Sequence, residues 1–194
     1  MHRQAVSGFR NFRFASPLRW QAQLSLHTLV LAVLLLSSPD VFAQSPQVAR
    51  IFEGKARIVD GDTLEIGVHR VDLFGVDAPE SDQRCERDGR QWRCGMEATY
   101  AMAALIETHW LTCRQRGSAT VGNVVAVCRI GGPKGISVNE EIVRRGWALA
   151  LRSFGDDYVD AEQDAKDAKV GLWSGTFVVP WEWRRTQDVG NKVD

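Results

Sequence analysis

Val59-Asp60-Gly61-Asp62-Thr63-Leu64 is the stretch around which this chain is predicted to fold, and Val76-Asp77-Ala78-Pro79-Glu80 follows it closely. Short apolar runs rich in β-branched residues adjoin both stretches and predict strands. Glycine and proline interrupt the runs, so the strands end at turns. The predicted strands cover residues 56–59, 63–66 and 71–76. If the last two pair as a hairpin about Gly67-Val68, both acidic turns lie at the same end of the sheet.

The two turns carry four carboxylates, on Asp60, Asp62, Asp77 and Glu80. Carboxylates crowded together repel one another unless a cation lies among them. Oxygen ligands without a nearby His or Cys favour Ca²⁺ or Mg²⁺, so the turns are a candidate metal site. The alternative is that these are ordinary turn residues, with aspartate capping backbone N–H groups and proline fixing φ. Spacing alone leaves both interpretations open.

The N-terminal residues 1–43 have the pattern of a secretory signal peptide. Four arginines and no acid precede an apolar run at 24–36, and Val41-Phe42-Ala43 provides a small-x-small cleavage pattern. The apolar run is shorter than the roughly 20 residues of a transmembrane helix, although an uncleaved anchor is the alternative. We therefore predict an exported protein, periplasmic or secreted, with no membrane span after cleavage. A short linker, 44–51, would precede the folded domain.

The charge of the mature chain is slightly acidic. The whole sequence has 24 basic and 24 acidic residues, and removing the leader leaves 20 and 23, a net charge of −3. A protein that binds polyanions usually shows a basic excess, because phosphate contacts dominate its affinity. The composition therefore gives weak support to nucleic-acid binding. About 150 mature residues fit one domain with a sizeable core, and we expect a monomer.

The four cysteines all follow the predicted cleavage site: Cys85, Cys94, Cys113 and Cys128. An even number in an exported chain predicts disulfides. Three pairings are possible. Cys113 and Cys128 flank a turn-like stretch, which favours pairing across a hairpin and leaves Cys85 for Cys94. A zinc site is the competing interpretation, but the spacings contain no CxxC.

The rest of the domain, 52–185, predicts a small closed barrel with helices. A helical pattern covers 95–109, strands follow at 110–114 and 124–130, and further helices begin near 137 and 156. Ser137-Val138-Asn139-Glu140 is typical of a capping box, and Gly146 would end that helix. Five strands with three helices fit a Greek-key barrel of the OB type.

The C-terminal segment carries Pro180-Trp181-Glu182-Trp183-Arg184-Arg185 before a predicted flexible tail, 186–194. The tryptophans and arginines could stack bases and hold phosphates. Tryptophans near a C-terminus more often pack the chain back onto its own core, and we favour packing.

These motifs resemble the thermonuclease, or staphylococcal-nuclease-like, family over roughly residues 52–185. The resemblance rests on Val59-Asp60-Gly61-Asp62-Thr63, on Gly75-Val76-Asp77-Ala78-Pro79-Glu80, and on two later stretches, 139–146 and 165–174. The leader, the four cysteines and the Pro-Trp-x-Trp-Arg-Arg tail resemble an exported bacterial branch. Some members of that branch are named for exopolysaccharide (succinoglycan) biosynthesis.

The resemblance implies a thermonuclease-like barrel and a calcium-dependent nuclease or phosphodiesterase site acting on nucleic acid. It implies that carboxylates matching Asp62 and Asp77 and the backbone carbonyl of Ala78 hold Ca²⁺. The glutamate matching Glu80 would position or activate the attacking water as general base. Two arginines would complete such a site by neutralising the phosphate.

Both arginine positions depart from the pattern of the family. The first is Asp72, and the second, counted inward from the two cysteines of the hairpin, is Asn123. We therefore expect impaired hydrolysis. Three other arginines could substitute: Arg70, Arg114 and Arg116. Alternatively, Asp72 could join the carboxylates in a tighter, non-catalytic Ca²⁺ site.

Three functions from different classes follow from these residues. The first is a calcium-dependent nuclease of reduced activity. The second is a non-hydrolytic accessory protein in exopolysaccharide biosynthesis, which binds a glycan or a biosynthesis protein. The third, a module that binds methylated arginine in an aromatic cage, ranks last because no aromatic cluster lies at matching positions.

Overall fold

The computed structural model describes residues 49–118 and 122–190. The predicted signal peptide, 1–43, and most of the predicted linker, 44–51, lie outside the described residues. Within those two ranges, no helix is both long and apolar enough to cross a membrane.

Five strands form a closed barrel. They run in the order β3-β2-β1-β7-β8, and the parallel pairing of β3 with β8 closes the sheet. This confirms the predicted OB-type barrel. The strands are β1 (Ile51–Ile58), β2 (Thr63–Ile66), β3 (His69–Leu73), β4 (Val76–Asp77), β5 (Cys85–Arg87), β6 (Arg90–Trp92), β7 (Trp110–Ser118), β8 (Val124–Ile130), β9 (Ile136–Ser137) and β10 (Leu149–Ala150). Outside the barrel, β9 extends the sheet beyond β8, β4 pairs with β10, and β5 pairs with β6.

Four helices pack around the barrel in the described part of the chain. They are α1 (Cys94–Ile106), α2 (Val138–Arg144), α3 (Val159–Ala168) and α4 (Pro180–Gly190). The first three were predicted. At the start of α2 the Ser137 side chain accepts a hydrogen bond from the Glu140 N–H at 3.3 Å, as the capping pattern indicates. Helix α4 was not predicted, and it runs into the segment that the sequence suggested as a tail from residue 186.

The predicted hairpin about Gly67-Val68 joins β2 to β3. Its register pairs Ile66 with His69 and Thr63 with Asp72. The side chains alternate between the barrel interior and the outside, with Leu64 and Val71 fully buried. This register places the turn after β1 and the chain leaving β3 at the same end of the barrel.

Two apolar clusters hold the domain together. The larger one fills the barrel and the space beneath α1 and α2. The smaller one surrounds Cys85, Cys94, Leu149 and Leu172, and Trp181 of α4 packs against it. The preference for packing the C-terminal tryptophans onto the core therefore holds for Trp181.

Two disulfides form, with the pairing that the hairpin argument favoured. Cys113 and Cys128 lie directly opposite each other on β7 and β8. Cys85 bonds to Cys94 and closes the loop that carries β5 and β6. The β5–β6 hairpin was not predicted, because its sequence between Cys85 and Trp92 is polar and charged.

Candidate active site

The turn between β1 and β2 is shaped by Asp60. Its Oδ1 accepts hydrogen bonds from the Asp62 N–H at 3.1 Å and the Thr63 N–H at 2.7 Å. When an aspartate side chain accepts hydrogen bonds from the backbone N–H groups two and three residues later, the chain forms an Asx turn. Asp60 thus has the structural role of a turn residue, and the turn it forms presents Asp62.

Gly61 lets this turn lie directly against the end of β4. A Cβ at this position would come within 2.6 Å of the Ala78 Cβ. Any side chain here would therefore push the two acidic turns apart. Gly95, at the start of α1, has a similar role on the other side, because a Cβ there would collide with the backbone carbonyl of Glu80.

Asp62 links the two acidic turns. Its Oδ2 accepts a hydrogen bond from the Ala78 N–H at 2.6 Å, and the Thr63 hydroxyl donates to its Oδ1 at 3.2 Å. The pKa of Asp62 is raised well above its ordinary value, first by burial and then by the negative charge of Asp60, while the Ala78 N–H acts in the opposite direction. The structure therefore brings Asp62 and the Asp77-Ala78 turn together, as the sequence predicted.

Asp77 is buried on β4, and both of its carboxylate oxygens are bonded to Arg184. The Arg184 Nη1 donates to Oδ1 at 2.9 Å and Nη2 donates to Oδ2 at 2.8 Å. The same Nη1 donates to Glu80 Oε1 at 2.8 Å. A bidentate arginine–carboxylate pair of this kind combines charge with fixed geometry. Arg184 therefore bridges the predicted metal ligand Asp77 and the predicted general base Glu80.

The electrostatics of this pair reflect burial. Burial raises the pKa of Asp77, and the hydrogen bonds and charge of Arg184 lower it only in part. The pKa of Arg184 is raised above its ordinary value, chiefly by its hydrogen bonds to Asp77. Burial acts in the opposite direction but has a smaller effect. The guanidinium is thus a permanent positive charge within the acidic site.

Helix α4 positions Arg184 beside Asp77 because the first turn of the helix packs on the smaller apolar cluster. Trp181 packs there, and Arg184, three residues later, lies on the same side of the helix. The segment that precedes α4 is held by the fully buried Gln83, whose Nε2 donates to the Val178 carbonyl at 2.7 Å. The Trp-x-x-Arg spacing of the tail is a sequence signal that could have indicated only that these two side chains share one face of a helix.

Asp72 and Asn123, the two positions that the resemblance matches to arginines of the family, contact each other. The Asn123 Nδ2 lies 3.1 Å from both Oδ1 and Oδ2 of Asp72 and donates to this carboxylate. Asp72 lies on β3, opposite Thr63 of β2, and Asn123 immediately precedes β8. The Asn123 side-chain N–H groups therefore bind the Asp72 carboxylate.

The arginines considered as substitutes lie elsewhere. Arg70 faces Glu65 across the β2–β3 hairpin and forms an ion pair with it at 3.8 Å. Arg114 and Arg116 line a cleft that contains none of the acidic-site residues. In residues 49–118 and 122–190, Arg184 is the arginine that forms ion pairs with Asp77 and Glu80.

With Arg184 in this position, the carboxylate oxygens of the acidic site are not arranged to coordinate a calcium ion. Both Asp77 oxygens and one Glu80 oxygen are already bonded to the guanidinium. Among the residues that the structure describes, no group of three or more His, Cys, Asp or Glu side chains is arranged to hold a metal. The predicted roles of Asp62, Asp77 and the Ala78 carbonyl as calcium ligands stay predictions.

Comparison with known proteins identifies the class. The family model described as staphylococcal nuclease homologue matches residues 70–175. The chain is 35% identical to the succinoglycan biosynthesis protein ExoI of Rhizobium meliloti over 147 residues, which cover 74% of this chain and 73% of that protein. It is 32% identical to protein ParB of Escherichia coli over 166 residues, covering 80% and 87% of the two chains.

A third relative is an uncharacterized endonuclease of Haemophilus influenzae, 25% identical over 146 residues, which cover 71% of this chain and 75% of that protein. The barrel and these matches agree with one another. The chain belongs to the family of staphylococcal nuclease homologues.

Proposed function

We propose that this chain is a phosphodiesterase by ancestry, related to calcium-dependent nucleases, whose hydrolysis of nucleic acid is strongly impaired. The observation that carries the proposal is the hydrogen-bonded contact between Asp72 and Asn123. These residues stand where two arginines would neutralise the phosphate. Asp72 is an anion, and the side-chain amide of Asn123 donates its hydrogen bonds to Asp72.

The size of the expected defect follows from transition-state electrostatics. A positioned arginine that stabilises a transferring phosphoryl group is worth about 10³ to 10⁵ in rate. That corresponds to roughly 4 to 7 kcal/mol of activation free energy. Asp72 adds repulsion, because its carboxylate would face the negative charge of the phosphodiester. Slow or absent turnover follows from either change alone.

Arg184 supports the same conclusion from the acidic side of the site. The bond and the positive charge of Arg184 make Glu80 a weaker base toward water. Calcium, when it binds, would have to displace the guanidinium from Asp77. One side chain therefore contacts both the proposed metal ligand Asp77 and the proposed general base Glu80.

A gain-of-function series tests the proposal. Cleavage of DNA and RNA is measured with Ca²⁺ and with EDTA for the wild type, for Asp72→Arg/Asn123→Arg, and for the same pair combined with Arg184→Gln. We expect calcium-dependent cleavage to appear in the double or triple variant and to disappear when Glu80→Gln is added. Asp72→Asn is the matched control, because it removes the anion without supplying an arginine. If no combination gains activity, the missing arginines are not the cause of the defect.

A second candidate function is a non-hydrolytic accessory role in exopolysaccharide biosynthesis, in which the protein binds a glycan or a biosynthesis protein. Its support is the 35% identity with a relative named for succinoglycan biosynthesis. The direct test is binding of purified succinoglycan oligosaccharide to the oxidised protein. Saturable binding that survives Glu80→Gln would favour this role, whereas absence of binding would leave only a protein partner.

We further propose that the protein is exported and monomeric. The two disulfides support an oxidising compartment. N-terminal sequencing of the secreted or periplasmic protein tests the proposed cleavage between Ala43 and Gln44. An intact N-terminus in a membrane fraction would show an uncleaved anchor instead.

A further inference from the structure

The outer face of the β7–β8 hairpin carries a cluster of cations. On β7, Cys113 points into the core, whereas Arg114 is exposed. The register places Arg114 opposite Val127 and Arg129 opposite Thr112. Arg114 and Arg129 are therefore diagonal neighbours on one face, a separation that long side chains can span.

A β-bulge adds a third arginine to this face. The register of β7 against β8 shifts between Gln115 and Gly117, which leaves Arg116 as the extra residue. Bulges of this kind redirect a side chain out of the regular alternation. The Arg116 guanidinium lies 5.1 Å from the centre of the Phe74 ring, so its position is fixed by an aromatic contact.

These three arginines and Lys134 line a cleft of about 640 Å³. Among residues 49–118 and 122–190, no carboxylate forms an ion pair with any of the four cations. Two acids, Glu140 and Asp157, also line the cleft, so its four cations face two carboxylates and the lining carries a net charge of +2. The cleft therefore has a surplus of positive charge that the described part of the protein does not neutralise.

Tyr158 provides a neutral hydrogen-bond donor in the same cleft. Burial, and then the charge of Asp157, raises the pKa of Tyr158 to about 12, while Arg116 and Arg129 act in the opposite direction. The phenol is therefore protonated at neutral pH. Tyr158 lines the same cleft as Arg116 and Arg129.

We propose that this cleft binds a small molecule that carries a diphosphate group. Arginine forks match the oxygens of phosphate bidentately, and a lysine adds a point charge. Four cations against two acids leave a net charge of +2, which exceeds the single charge of a carboxylate. A phosphate monoester carries about −1.5 to −2 at pH 7, and a second phosphate group adds acceptor oxygens for the four cationic side chains.

Size and surroundings favour a small ligand over a nucleic-acid strand. The cleft volume lies within the range of about 300 to 1,000 Å³ that is typical of small-molecule sites. The half-exposed Ile51 and the neighbouring Pro133 offer an apolar wall for the remainder of the molecule. Outside the leader the chain has a net charge of −3, so the cleft is not part of a generally basic chain that would suit a long polyanion.

The test is calorimetric titration of the oxidised mature protein with inorganic pyrophosphate in EDTA, so that no metal at the acidic site can hold the ligand. Sodium acetate and a 12-nucleotide single-stranded DNA are titrated in parallel. We expect saturable binding of pyrophosphate at one site and none of acetate. Arg114→Gln/Arg129→Gln should weaken binding by at least about tenfold, because each charged hydrogen bond contributes more than a neutral one.

Arg90→Gln is the matched control, since Arg90 is an exposed arginine outside the cleft. It should leave the affinity unchanged. Lys134→Gln, a loop substitution, gives a second variant if the double substitution disturbs the hairpin, and near-ultraviolet circular dichroism checks the fold. The proposal is overturned if pyrophosphate does not bind, if Arg90→Gln weakens binding equally, or if the DNA binds and pyrophosphate does not. It does not depend on whether the acidic site hydrolyses nucleic acid.

Discussion

Arg184 donates one hydrogen bond to each carboxylate oxygen of Asp77, at 2.9 and 2.8 Å, although 107 residues separate them in the sequence. The contact joins the last described helix to β4, where the second acidic turn begins. It also places a guanidinium where the family resemblance predicts a calcium ion. The state of the acidic site therefore depends on the position of α4.

Removing this guanidinium should favour calcium. In Arg184→Gln, Ca²⁺ no longer has to displace a charged competitor from Asp77 and Glu80, so we expect its affinity to rise by at least about tenfold, or about 1.4 kcal/mol. Calorimetric titration with Ca²⁺ measures this directly. Arg185→Gln is the matched control, because it removes the same charge from the next, exposed residue. Equal affinities in the two variants would show that Arg184 does not compete with the metal.

The same substitution should destabilise the metal-free protein. Asp77 is buried and would lose two hydrogen bonds and the neighbouring positive charge of Arg184. The Arg184 side chain is 42% exposed, which reduces the loss, so we expect about 1 to 2 kcal/mol in the free energy of unfolding. Denaturant unfolding in EDTA checks the value. An unchanged midpoint would mean that water replaces Arg184 at no cost.

The pH dependence of stability should show the raised pKa of Asp62. Its folded-state pKa lies well above the ordinary value of 3.8, so its ionisation disfavours the folded state. The associated stability is fully present below pH 3.8 and is lost as pH rises through the raised pKa. Asp62→Asn keeps a hydrogen-bond acceptor for Ala78 and cannot ionise. In EDTA, the difference in unfolding free energy between variant and wild type should therefore grow in favour of the variant as pH rises. A difference that is independent of pH would contradict the raised pKa.

Asn139 should be among the most sensitive buried positions. It is fully buried, its Oδ1 accepts from the Cys128 N–H at 3.0 Å, and its Nδ2 donates to the Phe74 and Ala126 carbonyls at 3.0 and 3.2 Å. Asn139→Ala removes this partner from the Cys128 N–H and the Phe74 carbonyl, although the Ala126 carbonyl still accepts from the Phe74 N–H, so we expect a loss of about 2 to 4 kcal/mol. Gln163→Ala, at an exposed position of α3, should cost less than about 0.5 kcal/mol. Similar effects of the two substitutions on thermal unfolding would contradict this role for Asn139.

Much of the barrel could be predicted because its determinants are local. The β-branched runs on either side of Gly67-Val68 alternate in the required register, and Cys113 and Cys128 mark facing positions on β7 and β8. The capping serine of α2 likewise acts on a residue three positions away. In each case the interacting residues lie within one hairpin or one helical turn.

The acidic site could be predicted only in part because its remaining partner comes from a distant element. The motif spacing places Asp62 beside the Asp77-Ala78 turn, and the contact from the Ala78 N–H to Asp62 forms. Arg184 reaches the same site only because Trp181 and Gln83 fix the start of α4 on the second cluster. No local pattern predicts where such a helix docks. The Asp72–Asn123 contact was missed for the same reason, although both positions had been identified separately.

The most direct measurement is hydrolysis of a fluorogenic single-stranded DNA by the oxidised wild-type protein, with Ca²⁺ and with EDTA, beside Glu80→Gln. If the Asp72–Asn123 contact has replaced the phosphate-neutralising arginines, the wild-type rate with Ca²⁺ will not exceed the rate with EDTA or that of Glu80→Gln. Calcium-dependent cleavage by the wild type that Glu80→Gln abolishes would contradict the proposed impairment and would show that the acidic site is catalytic despite Arg184.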